Sequence, residues 1–322
     1  MARLRIGTWN LENLFRPGTD AGAPTDRTAY DAKLAALAAT ITALQPHVLA
    51  VQEVGDPAAL DDLAALLPGT WHTATAPPDE RHIRCGVLSR LRILETEQFS
   101  AFPAGLGPVQ VNDAGKVLAA IGRPGLRVRV PWSTRLDAAG RGRLLDVVSV
   151  HLKSKLLSFP GGRFAPRDED ERARYAVYAL HRRAAEAAGV RAFTTTLLAN
   201  QGDRHRVLVA GDLNDEAAAA TTQILLGPPG SEIGTDGFDR PDRGDLQRLW
   251  SLAELIPEKE RYSRVYRTRH ELIDHVMVSR ALLDDVRTVS AGGPAPSIDD
   301  DPRDRVDEPG SDHRPVVASF AV

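Results

Sequence analysis

Six places in the chain set a carboxylate, amide or imidazole at the end of a short apolar run. Thr8-Trp9-Asn10-Leu11-Glu12 offers an amide and a carboxylate two residues apart, and because side chains alternate along a strand, Asn10 and Glu12 are expected on one face. Val48 to Val51 is apolar and then ends in Gln52-Glu53, and Val207 to Gly211 ends in Asp212, with Asn214 expected on the same face. His151 closes Val147 to Val150, Asp274-His275 interrupts Leu272 to Val278, and Ser311-Asp312-His313 stands just ahead of a last apolar run.

One acid at a strand end is ordinarily a solvated terminus or a helix cap. Six such ends in one chain suggest a shared cleft, because layered α/β architectures bind ligands beyond the carboxyl ends of their strands. The side-chain types agree with one chemistry. Carboxylate and amide oxygens are hard ligands suited to Mg2+, Mn2+ or Ca2+, cations that keep several waters and engage phosphate oxygens. Two histidines add proton transfer near neutral pH. Competing signatures are absent from the sequence: no Gly-x-x-x-x-Gly-Lys-Ser/Thr loop, no Gly-x-Gly-x-x-Gly fingerprint, no Gly-x-Ser-x-Gly elbow and no His-Glu-x-x-His pair.

The elements that must position these residues alternate in type. β-rich runs are expected over Leu4 to Leu11, His47 to Val54, Ile83 to Ser89, Arg143 to Leu152, Arg206 to Leu213, Leu272 to Ser279 and Pro315 to Val322. Tyr30 to Leu44 has helical apolar spacing and stops before Pro46; Asp56-Pro57 opens a second helix that ends near Pro68-Gly69. Asp168 with Glu171 predicts a capped helix through Ala188 that resumes after Gly189. From Arg81 to Leu152 the segments are short and turn-rich without a convincing helix, which mixes antiparallel pairing into an α/β chain. No linker or composition shift divides residues 1–322, so one domain is expected. Ala291 to Gly310 is rich in Pro, Gly and Asp and is expected to form a mobile acidic loop.

Composition narrows the class without naming a substrate. The 322 residues are 43% hydrophobic and 26% charged, an ordinary globular balance, and every apolar run is too short to span a bilayer. The first residues pass directly into a strand, leaving no room for a signal sequence, and the single Cys85 excludes an internal disulfide framework; a cytoplasmic setting is expected. A net charge of -3 gives no global attraction to nucleic acid. Only five of the 40 basic residues are lysine, a compositional bias that deprives arginine richness of functional meaning.

The ordered series Thr8-Trp9-Asn10-Leu11-Glu12-Asn13, Val51-Gln52-Glu53-Val54, His151-Leu152-Lys153-Ser154, Ala210 to Asp215, Ile273-Asp274-His275 and Ser311 to Val316 resembles the endonuclease/exonuclease/phosphatase superfamily, which includes DNase I, inositol polyphosphate phosphatases and neutral sphingomyelinases. The resemblance spans nearly the whole chain. It implies a DNase I-like four-layer α/β/β/α sandwich with two mixed β-sheets, and a metal-dependent phosphoester hydrolase at one end of the sheets. It further implies that Glu53 is the principal ligand of Mg2+ or Mn2+ with Asn10 beside it, and that Asp312 either completes the shell or holds a second ion. Asp212 would deprotonate the attacking water with Asn214 holding water or phosphate, and His313, oriented by Asp274, would hydrogen-bond the phosphoryl oxygens. His151 would contact the phosphate from the opposite side and supply a proton to the leaving group, with Asp79 or Glu80 as its acidic partner. The apurinic branch has an aromatic residue in place of the His151 motif, which counts against an abasic-site enzyme. Relatives that have lost turnover usually lack the glutamate, the base aspartate or a histidine; all are present here, which disfavours a non-catalytic binding module.

Plainer roles compete at several positions. Glu12 can cap a strand or pair with an arginine, His275 is expected to pack on the opposite face from Asp274, and Cys85 reads as a buried thiol. Lys153 and Lys155 fit either a phosphate contact or a solvated strand end. For substrate, Arg261 to His270 interleaves arginines with aromatics, so that Arg264 and Arg267 could track a phosphate backbone, or the run is an amphipathic strand. Leu156 to Arg167, with Arg163 and Phe164, reads as a substrate-facing loop. The expected substrate is therefore a phosphodiester of nucleic acid or a nucleotide, ahead of an inositol phosphate or phospholipid head group, and nothing in the sequence requires a protein partner.

Overall fold

The computed structural model describes residues 3–136, 142–163, 165–230, 232–293, 295–299 and 305–322. Phe164 and, in the acidic segment, Asp300, Asp301, Arg303 and Asp304 lie outside the described residues.

One six-stranded sheet contains β1 (Arg3–Leu14), β2 (Val48–Val54), β3 (His72–Thr75), β4 (Arg84–Ser89), β15 (Val286–Ala291) and β17 (Val316–Ala321), ordered β15-β17-β1-β2-β4-β3. The other contains β5 (Glu95–Ala101), β8 (Ala120–Leu136), β9 (Gly142–His151), β10 (Val207–Asp212), β11 (Leu249–Ser251) and β14 (Asp274–Ser279), ordered β11-β14-β10-β9-β8-β5. Each sheet is mixed around a central parallel pair, β1 with β2 and β9 with β10, flanked by antiparallel neighbours. Two short ladders complete the described strands: β6 (Val109–Gln110) with β7 (Val117–Leu118), and β12 (Arg264–Tyr266) between β13 (Arg269–Glu271) and β16 (Ser297–Ile298).

The central strands are apolar on both faces, which is why they read as unbroken apolar runs. Ile6, Val48, Ala50, Val128, Val147, Leu208, Ala210 and Phe320 meet in the core between the sheets. Their alternates Leu49 and Val51 pack against helix α1 (Arg27–Leu44) and α2 (Pro57–Ala65), with Leu37, Ile41 and Leu60. Val148, Val150, Val207 and Val209 pack beneath α3 (Glu169–Leu198) and α4 (Ala220–Leu226) through Val190, Leu198 and Leu225. The layers therefore run helix, sheet, sheet, helix, as expected.

The helix starts follow the expected caps: Asp56 accepts the Ala58 N–H with Pro57 at the first turn, and Asp168 accepts the N–H of Glu171. The expected break at Gly189 is absent, since α3 runs unbroken for 30 residues. The glycine is there for clearance: a Cβ would stand 2.8 Å from Ile121 Cδ1 and 2.9 Å from the Ala101 carbonyl, so the helix lies directly on β8 and β5. Gly189→Ala, worth ~1 kcal/mol in helix propensity, is accordingly expected to destabilise by about 1–3 kcal/mol through overpacking, read as a lower unfolding midpoint in urea. Helix α4 and strand β5 have no counterpart among the expected elements. The described ends of the acidic segment are tied down: Arg305 bonds Glu12, and Asp307 accepts the backbone N–H and hydroxyl of Thr25.

Candidate active site

Both central parallel pairs end at the same edge of the sandwich. In the second sheet Asp212 stands opposite His151 on one side and opposite Asp274 on the other, giving a row of three side chains across β9, β10 and β14. The first sheet contributes Asn10, in register with Gln52, then Glu53; the pairing of Thr8 with Val316 brings Ser311, Asp312 and His313 alongside. Trp9 Nε1 donates to the His313 carbonyl at 2.8 Å and Ser311 Oγ donates to the Asn10 carbonyl at 2.6 Å, fixing the last loop to β1.

The backbone departs from strand geometry where the polar residues begin. Glu12, Asn13, Glu53 and Asn214 have φ of 51°, 51°, 58° and 54°, left-handed values that such residues adopt where the surroundings require it. Alternation therefore fails just past Asn10. Glu12 does not pair with it across a shared face; its carboxylate holds Arg305 at 2.6 and 2.9 Å and accepts the Asp312 N–H at 2.8 Å, the arginine-paired role among its alternatives. Asn214 likewise sits past the strand end, its N–H on Asp212 Oδ1 at 2.8 Å and its amide on the Leu152 carbonyl at 3.0 Å.

Three side chains converge on one oxygen, Asp212 Oδ2. Asn10 Nδ2 donates to it at 3.0 Å, His151 Nε2 lies 3.4 Å away and His313 Nε2 4.0 Å away. Burial, and then the like charge of Asp274, push the Asp212 carboxyl up to about 7. His313 Nδ1 and Asp274 Oδ2 are 2.6 Å apart. Burial opposes a charged imidazole there, but the carboxylates of Asp274 and Asp312 hold His313 well above its usual range. His151 goes the other way, held well below that range by burial and then by Arg123 and Arg81. The surroundings thus bias the two histidines in opposite directions, His313 towards the imidazolium and His151 towards the neutral ring.

Glu53 accepts from Asn10 Nδ2 at 3.3 Å and from the Asn13 N–H at 3.0 Å. Burial would raise its carboxyl, yet Arg81, Arg123 and His313 together bring it below the usual carboxylate range. Among the described residues no cation lies within ion-pair distance of it, so a partly buried anion is left with neutral donors only. That donor set fits a hard divalent cation, with Asp312 on the adjoining loop. The described residues also contain a buried trio, Asp212, Asp274 and His313, whose ligand atoms all lie within 4.8 Å of one another. Their 2.6 Å contact is of hydrogen-bond length, which commits His313 Nδ1 to Asp274.

Neither acid expected to serve His151 reaches its ring. Asp79 Oδ2 takes Arg123 Nε and Nη2 at 3.0 and 2.7 Å, Arg123 Nη1 donates to the His151 carbonyl at 3.2 Å, and Glu80 pairs with Lys116. The buried Nδ1 of His151 has no hydrogen-bond partner among the described residues. Arg123, Arg305 and Lys33, whose Nζ donates to the Gly310 carbonyl at 2.8 Å, escaped the sequence reading. Their partners lie between 28 and 293 residues away, and an arginine-rich chain offers no local signal to single them out.

These groups open on a cleft of about 1160 Å³ whose lining includes Glu53 and Asp312, Tyr175 and Tyr178 of α3, and Arg264 and Tyr266. Lys153 lines it, but its Nζ donates to the carbonyls of Ser154 and Leu156 at 2.9 and 2.8 Å, and burial with nearby Arg182 pushes it down to about 8. Arg163 bonds Glu171 and the Pro160 carbonyl outside the cleft lining. Arg267 sits at the left-handed turn after β12, and with Arg264 and Arg269 it surrounds the Tyr266 ring at 5.5 to 5.8 Å. His275 packs on the opposite face, its Nε2 2.8 Å from the Asp215 carbonyl, and the buried Cys85 thiol is pushed up to about 12 by desolvation.

The model of the endonuclease/exonuclease/phosphatase family matches residues 7–313. The chain belongs to that family. Its members are hydrolases of phosphoesters, which is the chemistry the acid–imidazole cluster suggests. Among solved structures, the human nocturnin catalytic domain aligns at 15% identity over 99% of this chain and 94% of its own, with a TM-score of 0.54. A mannosyl-6-phosphatase of Bacteroides thetaiotaomicron aligns at 14% identity over 99% and 100%, TM-score 0.54, and a truncated TDP2 of Caenorhabditis elegans at 14% over 99% and 98%, TM-score 0.56. At these identities the likeness concerns the fold of this endonuclease/exonuclease/phosphatase family member. A search of curated proteins by sequence found no match. No helix among the described residues is long and apolar enough to cross a membrane.

Proposed function

We propose that this protein is a divalent-metal-dependent hydrolase of phosphodiester bonds in nucleic acid or nucleotides, with Asp212 as the base. The observation that carries this reading is the convergence of Asn10, His151 and His313 on Asp212 Oδ2, beside a partly buried Glu53 that has no cationic partner among the described residues. Glu53, Asn10 and Asp312 would hold Mg2+ or Mn2+, which when bound neutralises charge on the phosphoryl and leaving oxygens. Asp212, ionised, accepts the proton of the attacking water, and Asn214, pinned to Asp212 and Leu152, fixes one wall of the water's position. Protonated His313, aligned by Asp274, donates to a phosphoryl oxygen from one side. His151, buried and biased towards the neutral ring, contacts the phosphate from the other side as a hydrogen-bonding group.

A second reading, hydrolysis of a compact phosphate ester, is favoured by the cleft itself. A volume of about 1160 Å³ accommodates a small molecule or a strand end, and one structural neighbour is named as a mannosyl-6-phosphatase. The arginines around Tyr266, at the rim, favour nucleic acid or nucleotides. Rates on single-stranded nucleic acid, nucleotides, inositol phosphates, sugar phosphates and sphingomyelin rank the two. The unpaired buried Cys85 suits a reducing cytoplasm, where we place the protein.

Metal dependence is the direct test. EDTA should abolish hydrolysis of bis(p-nitrophenyl) phosphate and Mg2+ or Mn2+ should restore it. Glu53→Gln should raise the Mg2+ concentration for half-activation on the order of tenfold or more. Full activity after exhaustive chelation would remove the metal from the reaction.

A further inference from the structure

On the His151 side of the cleft the acids are committed and one cation is not. Asp79, its side chain only 6% exposed, binds Arg123 through Oδ2, and its Oδ1 accepts the backbone N–H of Arg81 at 2.9 Å and of Ile83 at 3.2 Å. One buried carboxylate thus shapes the turn 79–83, with His82 at a left-handed φ of 60°, and braces the strand end that carries His151. The turn sets Arg81 in the cleft lining with Glu53, His151 and Asp212.

Other cations along this wall are engaged: Lys116 with Glu80, Arg123 with Asp79, Arg182 with Glu186, and Lys153 Nζ with backbone carbonyls. The Arg81 guanidinium makes one hydrogen bond among the described residues, a long 3.5 Å contact to Asn13 Oδ1, and no carboxylate lies within ion-pair distance of it. His151 cannot supply the missing charge by an acid pairing of the His313–Asp274 kind, because its buried Nδ1 has no partner among the described residues. A phosphate entering among Glu12, Glu53, Asp212 and Asp312 meets positive charge away from the His151 side at His313, at Arg264 beside it and at the Glu12-bound Arg305. An exposed guanidinium can turn onto a phosphoryl oxygen with fork geometry while keeping its charge at any accessible pH.

We propose that Arg81 binds an anionic oxygen of the substrate phosphate on the His151 side of the cleft, opposite His313. The assignment rests on the phosphoesterase reading and adds a substrate-contacting residue to it. The test uses the full chain with Mg2+, bis(p-nitrophenyl) phosphate as substrate and inorganic phosphate as competitive inhibitor. Arg81→Ala should lower kcat/KM by on the order of tenfold to a hundredfold, and should raise the inhibition constant for inorganic phosphate by a comparable factor. Free guanidinium should restore part of the lost rate, Arg81→Lys should fall between, and the urea midpoint should not move. An active wild type with an unaffected Arg81→Ala overturns the assignment alone. So does an impaired variant whose phosphate inhibition is unchanged and which guanidinium does not rescue, the pattern of a damaged turn. A wild type inactive on every phosphoester overturns the phosphoesterase reading and the Arg81 contact with it.

Discussion

Asp212→Asn should stop turnover and make the protein harder to unfold above neutral pH. Losing the base should cost about 3 kcal/mol or more of transition-state stabilisation, on the order of a hundredfold in kcat. The stability gain follows from linkage. Asp212 titrates near 3.8 when unfolded and near 7 when folded, raised first by burial and then by Asp274. A raised acid favours the folded state fully below its unfolded pKa, and that contribution is lost as pH climbs through the folded value. At pH 8 the native protein therefore holds an ionised carboxylate it would rather protonate, whereas the amide stays neutral throughout. Part of the gain is returned, because the new NH2 group faces the Asn10 donor that now binds Oδ2. The balance is about 1–3 kcal/mol at pH 8, shrinking towards zero near pH 4. Urea unfolding of both proteins at pH 5 and pH 8 measures it; an advantage that did not grow between the two would mean that Asp212 is not held protonated by its surroundings.

The same residue shows what a sequence can and cannot reveal. Asp212, Glu53 and His151 were legible because each ends an apolar run, and Asp274 because it interrupts one at what proves to be the start of its strand; a run buried on both faces can tolerate a polar residue only where it reaches an edge. Their order along the chain carried the layered fold with it. The limits are local and physical. Strand alternation places Asn10 correctly and then fails for Glu12, since a left-handed residue re-aims the side chain towards Arg305. Gly189 looks like a helix break in one dimension and is a contact surface in three. Asp79 was within reach as a candidate acid, but its real partner, Arg123, is 44 residues away and one arginine among many. Lys153 reads as a phosphate ligand by position, while its ammonium is spent on the loop that follows.

Coupling between Asp274 and His313 provides the other large effect. His313→Ala should cost about 3 kcal/mol or more, on the order of a hundredfold in kcat/KM, and Asp274→Asn less, because the imidazole remains. The reason lies in opposed forces on one ring. Burial favours neutral His313, and the Asp274 carboxylate 2.6 Å from Nδ1 leads the charges that reverse this preference. Activity that needs the imidazolium is present below the raised pKa and lost above it, so Asp274→Asn should move the alkaline limb of the pH–rate profile to lower pH. Losing the neighbouring Asp274 charge also eases ionisation of Asp212, so the acid limb should move to lower pH with it, and a shift of the whole profile is a response that a merely loosened fold would not give. The double mutant should be no slower than His313→Ala, since an aspartate that acts through the imidazole has nothing left to orient once the ring is gone. If instead the two losses add in full, the short contact does not carry function, and Asp274, with its second oxygen buried and unbonded, would have to act on the reaction by its own charge.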